Sequence, residues 1–337
     1  MSKTDVTEVE TTTALPPAKR SFGARLGAHF KKWWWVHLII FIAVLLVILL
    51  PVIYVGYPRI AQNQVTDSTL NITSMVIADP TPDSFHLMQT QVIGSHSSYH
   101  PKIYSFLASV SLLGSAHAFT SVQVPEVQSK DGAEVNVDQI VDLSNADAFG
   151  DFAQAVMLNE DVELNIYGRP GLREGSLPKT TVTYNKTVSM KGLNKLTGFD
   201  VTEFHIMTEP KNGRNMNGTV YIPNPSVMTI TMGNVTLDLS IGGTPMGYTY
   251  LDNLVLKPGN NTIPMFATVN QSAIIGLVTS SSNPYKDLNG LVPFVISGNS
   301  SVYNGKQLPY FTQALASNNL TVNLNVTRAL AELGLKL

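Results

Sequence analysis

The segment from residue 33 to residue 57 constrains this chain more than any other, because its twenty-five residues include no Asp, Glu, Lys or Arg. At 1.5 Å per residue, a helix of that length extends about 37 Å, enough to cross a ~30 Å hydrocarbon core with some tilt. Pro51 is tolerated within such a helix. We therefore predict one transmembrane helix over residues 33–57. Its interfacial aromatic anchors are Trp33, Trp34, Trp35, Tyr54 and Tyr57.

A cleaved signal peptide is the alternative explanation of this segment. Its apolar run is longer than a signal peptide requires, and no small-x-small cleavage site follows it closely. Thirty-two residues also precede it, which is more than the usual basic leader. The pattern therefore favours an uncleaved signal-anchor.

The charges that flank the apolar segment predict its orientation. Arg59 is the one basic residue that follows it closely, and excess Lys and Arg stay on the cytoplasmic side. We therefore expect a type II protein, with residues 1–32 as a disordered cytoplasmic tail and residues 58–337 in a lumen or outside the cell. The charges that set this topology precede the segment: Lys19, Arg20, Arg25, Lys31 and Lys32.

Asn-x-Ser/Thr sequons support the same orientation, because all of them follow the apolar segment. They predict a glycoprotein whose modified part is lumenal. The candidate acceptors are Asn71, Asn185, Asn217, Asn234, Asn260, Asn270, Asn299, Asn319 and Asn325.

The region after the apolar segment has the composition of a β-protein. Only 14% of the chain is charged, against about 25% in an average soluble protein, and Thr, Asn, Ser and Gly are frequent instead. The stretch "VTLDLSI" (235–241) alternates apolar and polar residues and predicts a half-buried strand. Short helices are expected at 144–158, with Ser144 as N-cap, at 270–280 and at 327–337.

A weak repeat predicts two domains of one kind. "FHLM" (85–88) is echoed by "FHIM" (204–207), and five further pairs of segments follow in the same order, at spacings that settle near 130 residues. We therefore expect β-sandwich domains at 58–199 and 200–337, with the two histidines of the echo on equivalent strands. The predicted fold class is mainly β: one transmembrane helix followed by two Ig- or fibronectin-III-like sandwiches with short helices.

One stretch carries a family resemblance. The segments "GTVYIPNPSVMTITMGNVTLDLSIGGTPMGY" (218–248) and "NLVLKPGNNTIPM" (253–265) contain a strand, an Asn-Pro step, a second strand and a Pro-Gly-Asn turn. In this pattern the chain resembles fungal vacuolar membrane proteins with tandem late-embryogenesis-abundant group-2-like lumenal domains, one of which is implicated in ending autophagy. The resemblance implies a vacuolar membrane location, with the endoplasmic reticulum and plasma membrane as alternatives.

No sequence motif indicates catalysis, a cofactor or a metal. The chain has no cysteine, no phosphate-binding Gly-rich loop, no His-Glu-x-x-His and no Gly-x-Ser-x-Gly. His96 and His100 have i,i+4 spacing, but Gly94 and Pro101 bracket them in what reads as a loop. Nine charged residues in the last 120 are too few to attract nucleic acid.

These observations lead to a non-enzymatic reading. The first expectation is a membrane-anchored lumenal scaffold or regulatory protein of the vacuole, with autophagy control implied by the resemblance and with a protein partner in the membrane or lumen. The bilayer itself is the other expected partner. The first alternative is a lipid-binding or lipid-transfer module, since related domains are proposed to hold lipid between their strands. A lumenal hydrolase is the weaker alternative.

Overall fold

The structure is a computed structural model that describes residues 22–280 and 284–334, apart from the side chains of residues 22–26, 28 and 29. Its contacts divide the chain into two compact units, Met1–Tyr57 and Pro58–Leu337. In the first, helix α1 (Phe22–Pro51) is followed by a π-helical turn (Val52–Gly56). Helix α2 (Tyr57–Asp67) comes next and lies almost entirely in the second unit.

The apolar segment is helical, as predicted, but the helix is longer than predicted. It begins at Phe22, so residues 22–32 are not the disordered tail expected from their polarity. From Phe30 to Asp67 the helix is long and apolar enough to cross a membrane, and its apolar window buries no residue. The π-helical turn starts directly after Pro51, whose ring nitrogen has no hydrogen to donate to the helix ladder.

The first half of the second unit consists mainly of strands. The bounds of its elements are β1 (Thr69–Ala78), β2 (Ser84–Gly94), β3 (Lys102–Ile103), β4 (Phe106–Leu112), β5 (Thr120–Val124), β6 (Val127–Gln128), β7 (Ala133–Asp142), α3 (Ala146–Leu158), β8 (Asp161–Gly168), β9 (Gly171–Arg173), β10 (Thr180–Thr181), β11 (Tyr184–Lys191) and a 3-10 turn (Asn194–Leu196).

The second half has longer strands and three helices. The bounds of its elements are β12 (Asp200–Lys211), β13 (Arg214–Asn224), β14 (Met228–Ile241), β15 (Thr244–Leu256), β16 (Gly259–Val269), α4 (Gln271–Thr279), a 3-10 turn (Lys286–Leu288), β17 (Leu291–Tyr303), β18 (Lys306–Gln307), α5 (Pro309–Ala316), β19 (Leu320–Asn325) and α6 (Val326–Glu332).

Both halves have the same strand connectivity, which is that of a sandwich. In the first half, β1-β2-β7 form one ladder and β5-β4-β8-β11 the other. In the second half, β12-β13-β16 and β15-β14-β17-β19 pair in the same order. A helix, α3 or α4, follows the fifth of the seven long strands in each half. The fold is therefore mainly β and sandwich-like, as the strand pattern predicted.

The period-2 strand is confirmed in detail. The side chains of Val235, Leu237, Leu239 and Ile241 on β14 are all buried, while Thr236, Asp238 and Ser240 between them are partly exposed. Such alternation directs one face of the strand toward the core, because successive side chains point to opposite sides of the sheet.

The echoed "FHxM" segments are not equivalent in the fold. Phe85 lies on β2, the second strand of the first half, whereas Phe204 lies on β12, the first strand of the second half. The strand that corresponds to β12 in connectivity is β1, which has no such motif. The prediction that His86 and His205 occupy equivalent strands is therefore wrong, although each histidine does point away from the sandwich interior.

The two halves form one compact unit rather than two domains separated near residue 200. Strand β1 pairs in parallel with β14, with Val76 opposite Thr229, so a single eleven-stranded sheet runs through both halves. Helix α3 packs against α5, where the rings of Phe149 and Tyr310 lie 4.8 Å apart edge to face. A shared core replaces the linker that two separate domains would need.

The short helices differ from the predictions in three details. Helix α3 is capped by Asn145, whose Oδ1 accepts from the Ala148 amide at 3.0 Å, and not by Ser144, whose hydroxyl donates to the Ala118 carbonyl. Helix α4 lies within the predicted segment 270–280, whereas α6 begins one residue before the predicted segment 327–337 and ends at Glu332. Helix α5 has no counterpart in the predictions, because its eight residues follow a Leu-Pro step amid strand-like sequence.

Candidate ligand-binding cavity

A cavity of about 80 Å³ lies between the two sheets of the first half. The residues that line it come from β1, β2, β4, β5, β7, β8, β11, α3 and two of the short strands, and none of them is charged. They are Leu70, Ile72, Met75, Ile77, Phe85, Leu87, Gln89, Gln91, Ile93, Ile103, Phe106, Ala108, Val110, Phe119, Thr120, Val122, Val124, Val127, Val135, Phe149, Phe152, Leu164, Ile166 and Tyr184.

The inner face of β2 explains why two amides lie in this apolar space. Its residues alternate between buried and half-buried along the whole strand, and the buried set reads Phe85, Leu87, Gln89, Gln91 and Ile93. Gln89 pairs with Val137 of β7 and Gln91 with Val135, in the middle of the three-stranded ladder. The strand therefore directs two consecutive inward positions with polar side chains into the core.

Neither glutamine side chain has a hydrogen-bond partner within the described ranges, 22–280 and 284–334. Gln89 is 8% exposed and Gln91 is 7% exposed, so both are more than nine-tenths buried. Two other buried polar groups are paired: the Thr120 hydroxyl donates to the Asp142 carbonyl at 2.7 Å, and Asn224 Nδ2 donates to the Met228 carbonyl at 2.8 Å. Neither amide is among the fully enclosed polar atoms that lack a partner, so both face accessible space in the cavity, where water or a ligand can supply their hydrogen bonds.

One end of the cavity is bordered by Tyr184, the first residue of β11. Its ring packs against Phe106 at 5.4 Å between centroids, and burial raises the pKa of its phenol to about 12. Next to it, the Thr183 amide donates to Gln62 Oε1 at 2.7 Å, and Gln62 Nε2 donates back to the Thr183 carbonyl. Helix α2 is therefore attached to β11 at the residue that precedes Tyr184.

A buried lysine strengthens that attachment. Lys186 lies two residues further along β11, on the inward face, and its ammonium donates to the carbonyls of Thr66 and Ser68 at the end of α2. A cation is favourable at a helix C-terminus, where the last carbonyls lack intrahelical partners. Burial lowers the pKa of Lys186, and the nearby Asp67 opposes this shift. The ammonium thus bonds to the backbone and does not line the cavity.

The other end of the cavity is formed by aromatic rings. Phe119 stacks on Phe152 at 5.0 Å, and Phe85 stacks on Phe149 at 5.1 Å between ring centroids. These rings belong to the core that also contacts α5, so this end is backed by the second half of the unit. The amides of Gln89 and Gln91 are the polar features between the aromatic end and the Tyr184 end.

Two cavities that involve the second half are smaller and measure about 40 Å³ each. On β13, the strand that corresponds to β2, the buried inward residues include Met216, Val220 and Ile222, with no glutamine among them. The larger cavity with buried amides therefore belongs to the first half.

Comparison with known proteins assigns no function to this geometry. Residues 117–239 match a family described as a protein of unknown function, DUF3712. That segment runs from the loop before β5 into β14, and so crosses from the first half into the second. No curated protein matches the chain.

The similarity to solved structures is low. A transglutaminase from red sea bream has a TM-score of 0.21 and 12% identity over 75% of this chain and 31% of its own. The periplasmic chaperone SfaE has a TM-score of 0.17 and 10% identity over 76% of this chain and all of its own. The CupB6 tip adhesin from Pseudomonas aeruginosa also has a TM-score of 0.17, with 6% identity over 76% and 96%. The chain thus spans about a third of the transglutaminase.

The candidate glycosylation sites differ in how their side chains are used. The side chains of Asn71, Asn260 and Asn319 are exposed and make no hydrogen bond within the described part of the chain. Asn270 and Asn325 cap α4 and α6, Asn234, Asn185 and Asn299 bond to neighbouring residues, and Asn217 has a buried Oδ1 without a partner. The first three asparagines are therefore the most accessible acceptors, and glycosylation stays a prediction.

The predicted aromatic anchors lie on α1, on the π-helical turn (Tyr54) and at the start of α2 (Tyr57). Trp33, Trp34 and Trp35 are exposed, as is Tyr54, while Tyr57 is half-buried. Trp33 has a non-helical backbone, with φ −118° and ψ 17°, so α1 bends at the first tryptophan. Of the charges that predict the topology, Lys31 and Lys32 are exposed. Lys19 and Arg20, and the side chain of Arg25, lie outside the described residues.

Two histidines of the described ranges pair with acidic residues. Among the described residues, no group of three or more His, Asp or Glu is placed to hold a metal ion. His86 bonds to Asp138 at 2.6 Å, and His205 bonds to Glu332 at 2.9 Å. Glu160 and Asp161 share the ammonium of Lys191 at 3.0 Å each, at the exposed start of β8.

The sequence contains one signal for the cavity, in the strand that becomes β2. In "SFHLMQTQVIG" the alternation of β2 places both glutamines in the same register as Phe85, Leu87 and Ile93. Polar residues in the inward register of a predicted strand are an exception to the apolar pattern of a core. The sequence therefore indicates the two inward glutamines, but it does not indicate the cavity next to them.

Proposed function

We propose that this protein is a membrane-anchored module that binds an apolar, lipid-like ligand between the two sheets of its first sandwich. The observation that carries the proposal is the uncharged cavity of about 80 Å³ whose only two glutamine side chains, Gln89 and Gln91, are buried without partners among the described residues. Ligand pockets are typically apolar with a few polar groups that orient the ligand.

The energetics support an occupant. At ~24 cal/mol per Å³, an empty cavity of this size costs roughly 2 kcal/mol. The amides of Gln89 and Gln91 have no partner among the described residues, so a ligand can also supply their hydrogen bonds. A ligand with an apolar chain and one hydrogen-bonding group would fill the cavity and bond to the amides. A well-packed core would have neither the empty space nor the unpaired amides.

The proposed setting is a single-pass type II membrane protein with the sandwiches in a lumen. It rests on the apolar helix, the basic residues before it and the sequons after it. A vacuolar membrane, and a regulatory or scaffold role there, follow from the family resemblance of residues 218–265. Ligand binding is compatible with such a role, since a bound lipid could report membrane composition.

Photo-crosslinking of the full chain tests ligand binding directly. The protein is placed in lipid nanodiscs with a trace of a long-chain alcohol that carries a diazirine, illuminated, and mapped by peptide mass spectrometry. We expect adducts on β2 and β4 in addition to those on residues 33–57, which serve as an internal positive control. Filling the cavity with Ala108→Phe should remove the sandwich adducts and keep the helix adducts. Adducts confined to the helix would refute the proposal.

A further inference from the structure

The chemistry of the cavity wall restricts what kind of polar group the ligand can carry. A primary amide offers two N–H donors and one carbonyl acceptor, and it has no charge. Gln89 and Gln91 lie on consecutive inward positions of β2, so their Cα atoms are about 7 Å apart at ~3.4 Å per residue. Together they can donate to and accept from a single group placed between them.

No cation is available in the cavity wall. None of the residues that line the cavity is Lys, Arg or His. The inward-facing basic residue of β11, Lys186, is bonded to the carbonyls of Thr66 and Ser68. A carboxylate or phosphate that entered to the depth of the glutamines would lose its hydration without gaining a counter-ion, and burying an unpaired charge is strongly unfavourable.

From the chemistry of this wall we infer that the cavity selects neutral lipids. This inference rests on the proposed ligand-binding function. The group that occupies the space beside Gln89 and Gln91 is an uncharged hydroxyl or carbonyl on a narrow alkyl chain, as in a long-chain alcohol, because a cavity of about 80 Å³ has no room for the ring system of a sterol. Fatty-acid anions and phosphate-bearing heads are excluded from that depth.

Two matched probes test this selectivity: a long-chain alcohol and the corresponding fatty acid, with the diazirine at the same chain position. Each is added in trace amount to the full chain in nanodiscs of a zwitterionic lipid at pH 7.5. Sandwich adducts are divided by adducts on residues 33–57, which corrects for how much of each probe enters the bilayer. The alcohol should give a ratio at least about tenfold higher than the acid, equivalent to ~1.4 kcal/mol.

A double variant then assigns the preference to the amides. Gln89→Leu with Gln91→Leu should lower the ratio for the alcohol at least about threefold, because the hydroxyl loses its partners while the cavity stays apolar. Gln307→Leu, which alters an exposed glutamine on β18, should leave the ratio unchanged.

The outcomes separate the two proposals. If neither probe labels the sandwich, ligand binding itself fails. If both label it equally, or the acid labels it more, ligand binding stands and the inference of a neutral ligand is overturned. An unchanged alcohol ratio in the double glutamine variant, with a cooperative unfolding transition that shows it is folded, would also overturn the inference, because the amides would then not recognise the polar group.

Discussion

Tyr310 of α5 donates its phenolic hydrogen to the carbonyl of Thr81 at 2.7 Å and so joins residues 229 positions apart. Thr81 lies in the turn between β1 and β2, whereas Tyr310 lies in the second half of the unit. The Tyr310 ring is 2% exposed and contacts Phe149 of α3. This contact, with the pairing of β1 and β14, makes the two sandwiches one folding unit.

Tyr310→Phe should destabilise the whole unit by about 1 kcal/mol, since it removes a buried hydrogen bond and keeps the ring. For a unit of this size, the midpoint of thermal unfolding should fall by about 2–4 °C. Tyr303→Phe is the matched control, because its hydroxyl bonds to the exposed Asp79 at 2.9 Å and should contribute less. Two separate unfolding transitions in the wild-type protein would contradict the single unit.

Gln89→Leu with Gln91→Leu should raise the thermal stability of the ligand-free protein. Each substitution removes an unpaired buried amide, worth about 1 kcal/mol, and adds apolar surface to the core. Differential scanning calorimetry of delipidated protein checks this, with Gln307→Leu as the neutral comparison. A lower midpoint in the double variant would show that both amides have stabilising partners when no lipid is bound.

Lys186→Met should loosen the end of α2 from β11. The variant leaves the carbonyls of Thr66 and Ser68 without their charged donor, which costs about 1–3 kcal/mol locally. Amide hydrogen exchange should speed up at residues 62–70 and stay unchanged in the second half. Lys191→Met, which removes an exposed ion pair, should have little effect on the same amides. Equal effects of the two variants would argue against the capping role.

The docking of α6 should depend on pH through His205. Its Nδ1–H donates to Glu332 of α6, a bond that raises the pKa of His205, with Glu203 adding to the effect and burial opposing it. Arg328 also contacts Glu332 at 3.7 Å. Because the folded pKa exceeds the unfolded value of about 6.5, the stabilisation is present below that pH and is lost as pH rises through the folded pKa.

Amide exchange at residues 326–332, corrected for intrinsic rates, should therefore show more protection at pH 6 than at pH 8. His205→Gln should abolish the difference, whereas His86→Gln, which alters a histidine in the first half, should keep it. A difference that persists in the His205 variant would assign the pH dependence to another group.

The electrophoretic mobility of the protein should change after endoglycosidase treatment if the sandwiches are lumenal, as the predicted topology requires. Asn71, Asn260 and Asn319 are exposed, so each Asn→Gln substitution should remove one glycan if the sandwiches are lumenal. Asn217→Gln, whose Oδ1 is buried in the fold, serves as the comparison and should remove less glycan. A protein with no mobility shift in any variant would contradict lumenal exposure.

Several features of the fold follow from local sequence alone. The uncharged segment of residues 33–57 predicts its helix because every backbone group in a membrane must be satisfied within the segment. The alternation at 235–241 predicts a strand and its buried face. Two helix boundaries do not follow from the local sequence. Helix α5 begins at Pro309 within strand-like sequence, and α1 begins at Phe22, eleven residues before the apolar run.

The sequence by itself determined the long apolar helix and the β class, because these depend on composition and on periods of a few residues. Only the tertiary structure decided three other features. The halves merge through β1, β14 and Tyr310, "FHxM" marks non-equivalent strands, and the sheets of the first half leave a cavity around Gln89 and Gln91. Contacts between residues far apart in the chain depend on how surfaces pack in space, and a local pattern does not encode that packing.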